Sequence, residues 1–221
     1  MKNRIPALVC ALTLGASAAA GQPAPGWLRY PSISPDGQTI VFTYKGDLYR
    51  VPAAGGVASP LTTHAAHDFM PVWSRDGKQI AFASDRYGNF DVFVMPAEGG
   101  EARRLTFHSA PEYPYTFTTG DKAVVFGAAR MDTAANRLFP TGSQPELYQV
   151  AVSGGRPAQL LTTPAEDVKF SGNGQWMLYH DKKGGENIWR KHHTSAITRD
   201  IWVLDTKAGT HKKLTTYAGE D

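Results

Sequence analysis

Chemistry-bearing side chains concentrate in one stretch, "WRKHHTSAITRDIW", residues 189–202. His192 and His193 follow Arg190 and Lys191, Ser195 lies two positions on, and Arg199 and Asp200 close the run. A serine two residues from a histidine raises the chemistry of a hydroxyl nucleophile and its base. That chemistry also needs a constrained turn, a base in hydrogen-bond reach and oxyanion donors. No G-x-S-x-G elbow occurs, and the Gly-Ser of "TGSQPE" (141–146) sits in a polar insertion. Adjacent histidines on an extended segment point to opposite faces, so His192 and His193 do not readily share a metal ion. His64 and His67 are spaced for one helical face but lie in a Gly/Pro-punctuated loop, and no Cys or H-E-x-x-H partner accompanies either pair. These residues read as loop decoration, with no catalytic group, no metal ligand and no cofactor among them. One role remains open: Arg190, Lys191, His192, His193 and Arg199 as a basic loop that attracts peptide. Edge-strand charge that discourages sheet pairing explains the same cluster.

Which reading holds depends on the elements around the stretch, and these repeat. "PSISPDGQTIVFTYKGDLYRVPAAGGVASPLTT" (31–63) is followed by "PVWSRDGKQIAFASDRYGNFDVFVMPAEGGEARRLTF" (71–107). Looser copies cover 114–163 and 168–216, and the Leu-Thr marker recurs at Leu61, Leu105, Leu161 and Leu214. Each unit reads as four short strands. In the second, "PVWS" ends at Asp76-Gly77, "QIAFAS" alternates at period two, "DVFVMPA" is β-branched and aromatic, and Glu98-Gly99-Gly100 turns into "ARRLTF". Asp36, Asp76 and Asp85 belong to turns, where an Asp carboxylate bonds amides two positions on, and not to a calcium site. Trp73, Phe82, Phe93, Phe126, Trp176 and Tyr179 fall on core-facing positions.

Four antiparallel strands in a unit of about forty residues is the period of a β-propeller blade. The expected fold is all-β: about four four-stranded blades over 31–221 (roughly 31–63, 71–107, 114–163 and 168–216), after a linker or first strand at 21–30. No closing device is visible, so the ring is expected to be incomplete. "TTYAGED" at the end aligns with "TTHAAHD" (62–68), which runs straight into the next blade. The chain is therefore expected to be the amino-terminal part of a longer protein.

Residues 1–20 have the layout of a cleavable secretory signal, with Lys2 and Arg4, an apolar core from Ile5 to Leu14, and Ala18-Ala19-Ala20. Cys10 comes too early, and follows Val9, for a lipoprotein site. Removing this segment takes two basic groups and no acid. The 23 Lys+Arg become 21 against 20 Asp+Glu, and the net charge falls from +3 to +1. A near-neutral chain gives no reason to propose nucleic acid as a partner. No other apolar run approaches membrane length. A periplasmic or otherwise exported protein without a membrane span is expected.

The unit "S-x-D-G-x-x-I-x-F … G-G-x-x-x-x-L-T" resembles the TolB-type propeller repeat. "TYKGDLYRVP" (43–52), "FASDRYGNFDVFVMPAEGGEARRLTFHSA" and the 189–202 stretch together resemble the amino-terminal propeller of Tricorn-like exported serine peptidases. The third unit departs from the pattern at "TTGDKAVVF" (118–126), where Gly120-Asp121 replaces the usual turn. The resemblance implies a propeller that filters or channels peptides or unfolded protein segments toward a PDZ domain and peptidase core lying further along such proteins. None of those catalytic residues falls within this chain. An incomplete ring leaves a blade face and strand edges uncovered, and so leaves room for a homo-oligomer. Two alternatives stay open: a TolB-type module docking protein partners, and the propeller of a prolyl-oligopeptidase-type enzyme.

Overall fold

The computed structural model describes residues 26–130, 144–182 and 199–217. Every element in these segments is a strand, and the sixteen strands form four four-stranded antiparallel sheets. The first blade is β1 (Arg29–Ile33), β2 (Thr39–Tyr44), β3 (Asp47–Pro52) and β4 (Ser59–Pro60); the second is β5 (Asp68–Trp73), β6 (Gln79–Ser84), β7 (Asp91–Pro96) and β8 (Arg103–Arg104). The third is β9 (Glu112–Phe117), β10 (Ala123–Ala128), β11 (Glu146–Ala151) and β12 (Ala158–Leu161); the fourth is β13 (Ala165–Phe170), β14 (Trp176–Asp181), β15 (Ile201–Asp205) and β16 (Thr210–Lys213). Each blade is an up-and-down meander in chain order. The sheets pack in succession through neighbouring inner strands, β1 on β5, β5 on β9 and β9 on β13. Among the described residues they do not close into a ring.

The turns follow from their chemistry. In blades one and two, Ser34 and Ser74 donate to the carboxylates of Asp36 and Asp76 at 2.5 and 2.7 Å, which also accept from the amides of Gln38 and Lys78. Asn173 replaces the acid in blade four and keeps the geometry. The following Gly37, Gly77 and Gly174 all have positive φ, where a Cβ would be strained. Asp85 differs from the turn role its sequence suggests: its carboxylate accepts from the His67 amide across the blade junction, at 2.7 Å.

One aromatic pair recurs at the same register in every blade. Phe42 faces Tyr49, Phe82 faces Phe93, Phe126 faces Tyr148 and Tyr179 faces Trp202, each across the second and third strands. Phe82, Phe93 and Phe126 are fully buried, and Tyr148 and Tyr179 nearly so. Trp73 is half-buried between blades one and two and donates its indole N–H to the Ser32 carbonyl. Trp176 does not follow the sequence reading. It is 44% exposed: it opens β14 at the position of Thr39, Gln79 and Ala123, which is not buried in any of the four blades.

Candidate functional site

The inner strands carry a feature that hydrophobic patterning does not reveal. Each pairs regularly with its neighbour, then slips by one residue at the same place. In blades one, two and four, Tyr30-Pro31, Met70-Pro71 and Asp167-Val168 each oppose a single residue, Phe42, Phe82 and Tyr179. Such β-bulges bend a strand and re-aim a side chain. The first residue of each, Tyr30, Met70 and Asp167, has φ between +51° and +55°. That region is disfavoured for L-residues by about 1–2 kcal/mol, a cost that persists only where the surrounding structure over-determines the backbone. In blade three Pro114 occupies this place. Its ring locks φ negative, so the extra residue there is Tyr115, between Pro114 and Thr116.

All four bulges line one cavity on the propeller axis, of about 190 Å³. Tyr30, Met70, Pro114 and Tyr115 supply its apolar wall, and Asp167 and Lys169 its charge. Lys169 donates to the Tyr115 carbonyl at 3.2 Å. Desolvation pushes its ammonium below the ordinary lysine range, while Asp167 pulls it back up. Asp167 also stands 3.7 Å from Nδ1 of His180. Burial, then the nearby charges of Glu166 and Asp167, raise the Tyr115 hydroxyl far above the ordinary phenol value. The Tyr115 ring lies over Gly127, where an added Cβ would come within 2.5 Å of its hydroxyl oxygen. That explains the only glycine inside β10.

At the strand ends near the S-x-D-G turns, the axis is crossed by Arg75. Its guanidinium donates to the carbonyls of Phe170 and Ser171 in blade four, at 2.7 and 3.0 Å. The departure at Gly120-Asp121 now has a role. Asp121 takes the left-handed position of the turn, at φ +58°, where the other blades have glycine, and its carboxylate accepts from the amides of Arg75 and Asp76, at 2.8 and 2.9 Å, clamping blade three to blade two.

At the opposite end of the strands, blades two and three repeat a buried ion pair. Arg86 binds Asp68 at 2.7 Å and stacks over Phe82 and Phe93; Arg130 binds Glu112 and stacks over Phe126 and Tyr148. Both carboxylates are fully buried. Arg104 adds a third pair with Asp91, at 2.7 Å, and lies over the rings of Tyr87 and Phe107. It is thus held in place by partners. Burial pushes Asp91 up to about 6, with Arg104 opposing and the Glu112 charge adding to the rise. Glu112 is also raised by burial, against Thr106 and Arg130.

The basic loop is described in part. Arg190, Lys191, His192, His193 and Ser195 lie outside the described residues. Arg199 is described, and its Nε stands 3.0 Å from Glu166, which also faces Lys182 at 3.5 Å. Among the described residues no serine hydroxyl is hydrogen-bonded to a histidine, and no group of three or more His, Asp or Glu is arranged to hold a metal. No helix among them is long and apolar enough to cross a membrane. What the arrangement offers is a cavity lined by all four inner strands, and charged blade seams. The bulges that build the cavity were missed in sequence, although Tyr-Pro and Met-Pro at matching places in the first two units are a readable signal.

The model of the Tricorn protease N-terminal beta propeller domain matches residues 25–221. No curated protein matches the chain. Among solved structures, a putative TolB from Agrobacterium tumefaciens aligns with a TM-score of 0.69 at 19% identity, covering 88% of this chain and 64% of that one. The tricorn protease aligns at 0.65 and 19% identity over 87% of this chain and 18% of its own. TolB from Acinetobacter baumannii aligns at 0.61 and 18% identity over 87% and 45%. The chain therefore spans less than two thirds of each of these structures. At such identities the likeness is one of fold.

Proposed function

The chain belongs to the Tricorn protease N-terminal beta propeller domain family, and from that premise we propose that it is the non-catalytic propeller segment of an exported, Tricorn-like serine peptidase, giving peptides access to a peptidase core. Residues 1–20 act as its secretory signal and the periplasm is its compartment. Its partners are peptides or unfolded protein segments, the PDZ and peptidase core of such an enzyme, and further copies of itself. The observation that carries the reading is the axial cavity: all four inner strands are bulged at one level, three of them at the backbone cost of a positive φ, and residues of all four bulges line the same space. A propeller serving only as a spacer has no need of that arrangement. The basic loop of Arg190, Lys191, His192, His193 and Arg199 would attract acidic peptides toward the blades.

Fluorescence anisotropy with labelled extended peptides tests this on the full chain. Binding is expected, and Met70→Trp, which fills the axis, should weaken it at least several-fold while the protein stays folded. Peptide cleavage by the chain alone is not expected; turnover that depends on Ser195 would overturn the non-catalytic reading. The TolB-type alternative, a module docking folded partners, draws on the alignment with the Agrobacterium TolB. It would be favoured if peptides failed to bind, or bound without regard to Met70.

A further inference from the structure

A separate cavity, of about 500 Å³, opens beside the first blade. That volume lies within the range of small-molecule sites, which are mostly apolar with a few convergent polar groups. The entry to β1, the β2–β3 turn and the connector into blade two at His67 bound it. The rings of Trp27, Tyr30 and Tyr44 line it, and Arg29, Thr43 and Lys45 supply its polar groups. Arg29 stands directly across from Thr43 in the β1–β2 ladder, which makes their side chains neighbours, and Lys45 follows two residues after Thr43. Thr43 shares the face of Val41, which packs in the seam between blades one and two, both of them described.

Three observations mark this corner for a ligand. Thr43 is 3% exposed, and its hydroxyl oxygen has no hydrogen-bond partner among the described residues, although buried polar groups are ordinarily paired. Arg29 and Lys45 meet no carboxylate among those residues, in contrast to Arg86, Arg104 and Arg130. They lie instead over the rings of Trp27 and Tyr44, at 5.5 and 5.4 Å. Lys45 also holds φ at +51° in the two-residue turn between β2 and β3, where Asn or Gly would sit without strain. We propose that the cavity binds a small organic anion with a flat apolar body, of the aromatic carboxylate class. Arg29 and Lys45 face the anionic group, the Thr43 hydroxyl donates to it, and Trp27, Tyr30 and Tyr44 cover the body. Two cations without acids set the charge preference, and three rings favour a flat apolar ligand over a simple ion. The site shares only Tyr30 with the axial cavity, and it does not rest on peptide passage.

Isothermal titration calorimetry of the full chain with 2-naphthoate, 2-naphthalenemethanol and inorganic phosphate tests this. Saturable binding of 2-naphthoate is expected, with the neutral alcohol about ten-fold weaker and phosphate weaker still. Arg29 and Lys45 are exposed, so their variants should stay folded, which a thermal melt checks. Arg29→Gln should weaken naphthoate binding about ten-fold. Lys45→Asn should weaken it similarly while raising the melting temperature, because Asn relieves the turn. Thr43→Val should weaken it several-fold without lowering the melting temperature, since no hydrogen bond within the protein is lost. Arg156→Gln, which removes an exposed charge from blade three, should bind as wild type does. Absence of saturable naphthoate binding overturns the proposal, as does equal affinity for the alcohol or for phosphate. Affinity unchanged in Arg29→Gln and Lys45→Asn, or lowered as much by Arg156→Gln, overturns it equally.

Discussion

The inner blades and the outer blades are built from the same repeat, and they differ chiefly in what covers them. In β6 and β10 every residue after the first is buried, on both faces of the sheet. In β2 and β14 only alternate residues are buried: Val41 and Thr43 in the first blade, Met177, Tyr179 and Asp181 in the fourth. The period-two pattern is identical in kind, but the outer sheets have one neighbour where the inner sheets have two. Charge follows the same division. The fully buried carboxylates Asp68, Asp91 and Glu112 and their arginine partners all belong to the two inner blades, whereas the first blade is joined to the second by the exposed pair Arg50–Glu98. A blade's local sequence makes it a sheet, and its neighbours decide how much each side chain contributes.

Three measurements can break or sharpen this comparison. The largest effect is expected at the aromatic pairs. Phe126→Ala, in a fully buried site, should cost about 3–5 kcal/mol, read as a fall in urea midpoint. Phe42→Ala, at the matching position of the first blade, should cost about 1–2 kcal/mol, because half-covered surface has less transfer energy to lose. Equal losses would mean that the face of the first blade is covered in solution.

The ion pairs come next. Arg130→Met leaves Glu112 buried without its partner and should destabilise by about 2–4 kcal/mol. Arg50→Met in the exposed pair should fall within about 0.5 kcal/mol of wild type. A thermal melt of each variant at one pH makes the comparison, and a large loss from Arg50→Met would count against the division drawn above.

The smallest effect is that of pH. The folded-state value of Asp91, about 6, lies above its ordinary 3.8. The folded protein therefore takes up this proton before the unfolded chain does. Stability should rise as pH falls from 8 through 6, by on the order of 1–3 kcal/mol, with the gain complete near pH 4. Glu112 acts in the same direction. Asp36, Asp76 and Asp205 are held below their ordinary values by hydrogen bonds and act in the opposite direction, losing stability only as pH drops below about 4. A melting temperature that rises from pH 8 to pH 5, and a slope flattened in Asp91→Asn, is the expected result. A flat wild-type profile over that window would place Asp91 in contact with solvent.

Much of this molecule was determined by sequence alone: four units, four strands in each, antiparallel order, and turns at the S-x-D-G and Gly-Gly positions. Those features depend on period, turn chemistry and residues a few positions apart, all of which one repeat contains. Tertiary structure decided the rest. The slip that turns Tyr30, Met70 and Asp167 toward the axis depends on pairing with strands whose register the whole blade sets. The clamp at Asp121, the reach of Arg75 to Phe170 and the stacking of Arg130 over Tyr148 join residues from 18 to 95 positions apart. Leu178 makes the same point in reverse. It holds the place of the fully buried Ala81 and Val125, and it is 41% exposed because coverage is a property of the neighbouring blade and not of the strand that carries it.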